Sequence, residues 1–105
     1  MVHYIALYKL RADITDDQLE TIIRTSRAKL LQIPEVLSLR SGKRIEADSE
    51  WPFFISIDFE CLDKMVHYLV HPTYIRFKNE VLRPWTTQRL ELRYETDPGK
   101  NTKYS

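Results

Sequence analysis

Apolar residues alternate with polar ones in some stretches of this chain and recur every three or four residues in others. That change of period predicts its elements. Val2 to Leu10 reads as a strand, with His3, Ile5 and Leu7 on one side and Tyr4, Ala6, Tyr8 and Leu10 on the other. Both sides are largely apolar, so both are expected to be covered. Thr15 and Gln18 then form a T-x-x-Q capping box, and Ile14 with Leu19 fits the hydrophobic staple around it. Leu19, Ile22, Ile23, Ser26, Leu30 and Ile33 follow at helical spacing, with Arg24, Arg27 and Lys29 off that face. Pro34 is expected to end the helix. Val36 to Ile45 reads as a second strand, in which Gly42 permits a bend or bulge. After an acidic loop over 46–50, Pro52 opens a third strand, where Phe53, Ile55, Ile57 and Phe59 alternate with Phe54, Ser56, Asp58 and Glu60.

Leu62, Met65, Val66 and Leu69 give the apolar stripe of a short helix. At 100° per residue Tyr68 falls on the edge of that stripe, and His67 and His71 on the polar side. His71-Pro72 breaks the helix, because the residue before a proline is pushed out of the α region. Tyr74, Phe77 and Val81 then form a second stripe that Pro84 closes, and Thr87 to Glu95 alternates as a last strand. Asp97 to Ser105 is polar and contains Pro-Gly, so residues 96–105 read as a loose tail behind a domain over 1–95.

The order strand, helix, strand, strand, helix pair, strand predicts an α+β fold. It is a ferredoxin-like βαββαβ sandwich, with a four-stranded antiparallel sheet and right-handed crossovers that put the helices on one face. His3, Ile5, Leu7, Ile55, Ile57 and Phe59 are expected under the helices. Tyr4, Ala6, Tyr8, Leu10 and Phe54 would then form a bare face too apolar for water, which predicts a homodimer paired sheet on sheet.

Composition narrows the function classes. The chain has 105 residues and 43% apolar residues, enough for one domain with a core, though one this small buries only about 60–65% of its unfolded surface. Sixteen basic against fifteen acidic residues leave a net charge of +1, so no basic field marks a nucleic-acid or membrane binder. No run approaches about 18 apolar residues, and the N-terminus has no basic leader or cleavage site. The single cysteine, Cys61, excludes an intrachain disulfide and fits a cytoplasmic setting. Glu60 and Asp63 beside it disfavour a thiolate, and an inert, partly buried thiol is expected.

Several pieces, in order and at matching spacing, carry a family resemblance: His3-Tyr-Ile-Ala-Leu-Tyr-Lys-Leu10, Ile33-Pro-Glu-Val-Leu-Ser-Leu-Arg40 with Gly42, Asp58-Phe59-Glu60, and His71-Pro72 leading to Phe77 and Glu80-Val-Leu-Arg-Pro84. Over residues 2–95 the chain resembles the stress-responsive A/B-barrel (Dabb) family. The resemblance implies a dimeric α+β barrel, and most members have no assigned activity. The chain is also distantly similar to one branch of that family, the plant olivetolic acid cyclase, which closes a linear polyketide by cofactor-free aldol chemistry with a tyrosine and a histidine near the helix break. By that resemblance Tyr68 matches the tyrosine, His3 matches a first-strand histidine, and His71 matches a histidine that is not catalytic. The catalytic histidine position falls on Tyr74. A phenol is a poor general base at pH 7, so the cyclase reaction is not carried over.

Candidate catalytic residues are therefore His3 or His71 as the acid–base group and Tyr68 as oxyanion donor. Against these stand a buried histidine bonded to Tyr68 or backbone, and a His71 that caps a helix end. His67 and His71 are spaced for two metal ligands, but no nearby Cys or carboxylate completes a set beyond Asp63, so two solvent-facing histidines and no metal are expected. Ile5, Leu7, Ile22, Ile23, Ile55, Tyr74, Phe77 and Trp85 are candidates to line a pocket for a small apolar or aromatic ligand between sheet and helices. The same residues also fit a packed core. No Gly-rich phosphate loop, G-x-S-x-G or H-E-x-x-H occurs, and no cofactor is expected. Three readings remain: a metabolite-binding barrel, a cofactor-independent cyclase, isomerase or monooxygenase, and a purely structural dimerisation module with a filled core.

Overall fold

A computed structural model of the chain describes residues 1–97. Strands β1 (Val2–Leu10), β2 (Ser38–Lys43), β3 (Phe53–Phe59) and β4 (Thr86–Glu95) form one sheet in the order β2-β3-β1-β4. Every pairing is antiparallel. Helix α1 (Asp16–Leu30) crosses from β1 to β2. Helices α2 (Leu62–Leu69) and α3 (Pro72–Phe77) connect β3 to β4 and continue through a π-helical turn over Lys78–Leu82 into α4 (Arg83–Trp85). This is the ferredoxin-like arrangement expected from the element order. The expected tail lies, from residue 98 on, outside the described residues.

Local chemistry explains the helix ends. The Thr15 hydroxyl accepts from the Gln18 amide at 3.2 Å, and the Gln18 side chain accepts from the Thr15 amide at 2.8 Å, which satisfies two amide donors at the start of α1. The helix stops at Leu30, ahead of Pro34, and Ile33 is buried from the turn that follows. At the break, His71 is extended and its Nδ1 accepts from the Thr73 amide at 3.1 Å, while Pro72 occupies the first turn of α3, where its missing N–H costs nothing. Pro84 does not close the segment. Its ring would crowd the Glu80 carbonyl in a regular helix, and the wider π turn directly before it lets the chain run on to Trp85.

One face of the sheet lies under the helices, but β1 presents the opposite side from the one expected. Val2, Tyr4, Ala6 and Tyr8 are buried there with Phe53, Ile55, Ile57 and Phe59, because the register pairs Val2 with Phe59 and Tyr4 with Ile57. His3, Ile5 and Leu7 are half-buried on the open face, beside Asp58, Ser56 and Phe54. Smaller expectations also change. Gly42 makes no bulge; a Cβ there would stand 3.1 Å from the Phe54 ring, so the glycine makes room for that ring on the open face. The irregularity sits instead at Lys9/Leu10, between β1 and β4. In α2 Met65 is buried as expected, but Leu62 and Val66 are exposed and Tyr68 is the other residue the helix buries. Cys61 is exposed at the start of that helix rather than partly buried.

Candidate functional site

Four tyrosines meet under the helices. Tyr4 and Tyr8 rise from β1, Tyr68 descends from the last turn of α2, and Tyr74 enters from the first turns of α3. The His71-Pro72 break brings Tyr68 and Tyr74 together, six residues apart in sequence, with ring centroids at 4.6 Å. Tyr68 also packs on Phe59 at 5.2 Å and on Tyr4 at 6.3 Å, and Tyr8 packs on Phe53 at 5.5 Å. Tilted aromatic contacts of this kind add to the gain from burial alone.

The polar side of the cluster comes from β4. Arg89, Glu91 and Arg93 lie opposite Tyr8, Ala6 and Tyr4 on the helix-covered side of the sheet. Glu91 is held between both arginines, by Arg89 Nε at 3.1 Å and Arg93 Nη2 at 3.0 Å. The Arg93 guanidinium also stands 5.5 Å from the centre of the Tyr4 ring, a cation–π distance. The Tyr4 hydroxyl is buried and makes no well-aligned hydrogen bond among the described residues, with the Tyr74 phenol and the Glu91 carboxylate as its polar neighbours. Burial, then the neighbouring phenols and Glu91, push the pKa values of Tyr4, Tyr8 and Tyr68 upward. Burial raises that of Tyr74 as well. The cluster is therefore uncharged at neutral pH and acts as a set of hydrogen-bond donors rather than bases. A cleft of about 200 Å³, lined by Val2, Leu62, Met65, Arg93, Tyr94 and Glu95, shares Arg93 with this group but none of the four tyrosines.

The residues singled out from sequence fall into two groups. Ile22, Ile23, Ile55, Tyr68, Tyr74 and Phe77 come together in the buried layer around the cluster, with Trp85 partly buried at its rim. They pack closely, and a cavity of about 480 Å³ between α1 and α3 borders this layer at Phe77. His3, Ile5 and Leu7 are not part of it. They lie across the sheet, so His3 cannot act together with Tyr68. The reason is the register of β1, which sets polar His3 against polar Asp58.

On the open face His3 joins a separate polar chain. Its Nδ1 is 2.6 Å from Asp58 Oδ1, its Nε2 is 2.8 Å from the Thr96 hydroxyl, and Ser38 donates to Asp58 Oδ2 at 2.6 Å. Burial raises the Asp58 pKa, but hydrogen bonds from Ser38 and His3 and the nearby charges of His3 and Arg40 outweigh it, leaving the carboxyl below its usual value. His71 serves as the N-cap of α3 rather than a cap for the end of α2, and His67 is exposed. Among the described residues no group of three His, Cys, Asp or Glu side chains could hold a metal ion. Tyr4, Tyr8, Glu91 and Arg93 escaped the sequence reading. The available signal was the alternation in β3, whose single strongly apolar side fixes which side of β1 faces the helices.

Comparison with known proteins agrees with the fold. Residues 2–95 match the family model of the Stress responsive A/B Barrel Domain. A Dabb family protein with a ferredoxin-like fold from Mesorhizobium loti superposes with a TM-score of 0.80 at 17% identity, over 90% of this chain and 95% of that one. A dimeric ferredoxin-like protein of unknown function from Thermobifida fusca gives 0.78 at 25% identity, over 90% of each chain. A hydroxynitrile lyase from Passiflora edulis gives 0.76 at 16% identity, over 95% of this chain and 96% of its own. At 17% and 16% identity the first and third speak for the fold alone. Among curated proteins none matches this sequence.

Proposed function

Since the chain belongs to the stress-responsive A/B barrel domain family, we propose that it is a homodimeric barrel that binds a small apolar or aromatic molecule at the tyrosine cluster. The observation that carries this reading is the Tyr4 phenol, a buried donor that makes no well-aligned hydrogen bond among the described residues, even with Tyr74 and Glu91 beside it. An orphaned buried polar group costs about 1–3 kcal/mol, and a ligand oxygen accepting from it would remove that cost. The cleft beside Arg93, whose guanidinium stands over the Tyr4 ring, supports an approach from that side, with Val2 and Met65 as apolar walls. Pairing through the open sheet face is supported by its apolar strip and by the dimeric relative from Thermobifida fusca.

The test is a thermal-shift screen of aromatic ketones, phenols and lactones against the wild-type protein and Tyr4→Phe. The variant is expected to melt higher than wild type without ligand, because it loses the orphaned hydroxyl. It is also expected to lose the stabilisation that the best compounds give to wild type. A screen in which no compound stabilises wild type, or in which Tyr4→Phe responds equally, removes the proposal.

A second reading, cofactor-independent acid–base catalysis of the cyclase, isomerase or monooxygenase kind, is favoured by one feature. Asp58 and Thr96 hold the two ring nitrogens of His3, which is the geometry of an oriented general base. Mass spectrometry of the same incubations decides it: if no stabilising compound is converted to product, binding alone stands.

A further inference from the structure

A second cavity, larger than the cleft beside Arg93, is lined by none of the four tyrosines. It is a groove of about 480 Å³ between α1 and α3, lined by Thr25, Lys29 and Gln32 on one side and by Thr73, Arg76, Phe77, Glu80 and Val81 on the other. That volume lies within the range of small-molecule sites. The sequence of α1 explains one wall. Its apolar face, from Leu19 to Leu30, is taken up by the sheet, and Thr25, Lys29 and Gln32 follow at helical spacing along the flank. The second wall depends on the π turn. Glu80 and Val81 lie within it, and the extra residue shifts them from the positions a regular continuation of α3 would give. Phe77 and Val81 form an apolar floor, the first buried and the second half-buried.

Among the described residues the charged side chains of this groove stand unpaired, unlike several others in the molecule. Lys43 pairs with Glu20, Arg11 with Asp13, and Arg89 and Arg93 with Glu91. Lys29, Arg76 and Glu80 form no ion pair within 4.0 Å among the described residues. One cation on each helix therefore faces a shared apolar floor without a partner, and the groove carries two positive charges against one negative. A dianion would meet Glu80, and a neutral apolar molecule would leave both cations unused.

From these features we infer that the α1–α3 groove binds monoanionic carboxylic acids with an apolar body. The carboxylate lies between Lys29 and Arg76, where the planar guanidinium can give two parallel hydrogen bonds. The aromatic or aliphatic body rests on Phe77 and Val81. The hydroxyls of Thr25 and Thr73 complete the polar rim, and Glu80 accepts from a hydroxyl on the far end of the ligand. The site stands apart from the tyrosine cluster, so either reading can fail without the other.

Backbone amide NMR titration with 4-hydroxybenzoate and hexanoate tests it, with the corresponding primary amides as neutral controls and inorganic phosphate as a bare anion. Shifts are expected at Thr25, Lys29, Thr73 and Phe77 with the two acids, and weakly or not at all with the amides or phosphate. Arg76→Gln and Lys29→Gln are each expected to weaken binding by about tenfold, the effect of losing one charge-assisted contact. Lys64→Gln, on the exposed side of α2, is expected to leave it unchanged. The amide controls act on unmodified protein, so the outcome does not depend on how well the variants fold. Equal binding of acids and amides, indifference to both substitutions, or no shifts at millimolar acid would overturn the assignment.

Discussion

Asp58 is the residue whose charge ties three strands together. It accepts from Ser38 on β2 and from His3 on β1 while sitting on β3 itself, and its carboxyl is held below the usual range. A carboxyl with a depressed folded-state pKa contributes stability that is fully present above its unfolded value, near 3.8. That stability is lost as the pH falls through the lower folded value. Asp58→Asn is therefore expected to be less stable than wild type at neutral pH. Its urea midpoint should also fall less steeply with acid than that of wild type, from about pH 4 downward. Parallel midpoint–pH curves for the two proteins would show that Asp58 carries no such coupling. This pair was hidden in the sequence because His3 and Asp58 are 55 residues apart. It was still open to inference, since an antiparallel register that sets apolar β3 residues beside Val2, Tyr4 and Ala6 also sets Asp58 beside His3. The tyrosine cluster was half legible. Tyr68 and Tyr74 stood out at the helix break, but Tyr4 did not, because β1 is largely apolar on both of its sides.

Elements were read most securely where a local interaction defines them. The capping box of α1 and the break before Pro72 each depend on residues within a few positions, and both occur as the sequence indicates. The cap that His71 provides was misplaced by one helix, because a histidine between two helices can serve the end of one or the start of the other. What decides is the backbone: an extended residue before Pro72 points its side chain at the Thr73 amide, one of the free donors of α3. His71→Ala is expected to cost about 1 kcal/mol, the usual worth of an N-cap, and His71→Asn to restore most of it. Equilibrium urea denaturation measures both. Equal losses for the two variants would mean that ring packing, and not the cap, is what His71 supplies. The π turn was not legible at all. Nothing in Lys78–Leu82 marks it except the proline two residues beyond, which forbids a regular turn without saying how the chain will avoid it.

For the whole molecule, the decisive feature is an inversion in β4. In a sheet with helices on one face and water on the other, the apolar side of an alternating strand turns toward the helices. In β4 it turns away: Leu90, Leu92 and Tyr94 lie on the open face, and Arg89, Glu91 and Arg93 on the covered one. Leu92 is set beside Ile5, Leu90 beside Leu7, and Leu7 beside Phe54, so an apolar strip crosses three strands on the side without helices. The sequence reading reached a covered second face by a different route, from the apolar alternation of β1, and assigned it the wrong β1 residues. The need for cover survives that correction because β4 makes it independently. A second copy related by a two-fold axis would lay this strip against itself. Leu92→Arg places one charge from each copy into the same apolar seam, where burying it without a partner is prohibitive. Size-exclusion chromatography with light scattering is expected to give twice the chain mass for wild type at micromolar concentration and the single-chain mass for Leu92→Arg, with circular dichroism unchanged. A wild-type monomer would refute the dimer outright. A dimeric Leu92→Arg would move the interface elsewhere, to a surface such as the exposed Leu62, Val66 and Val70 of the α2 segment.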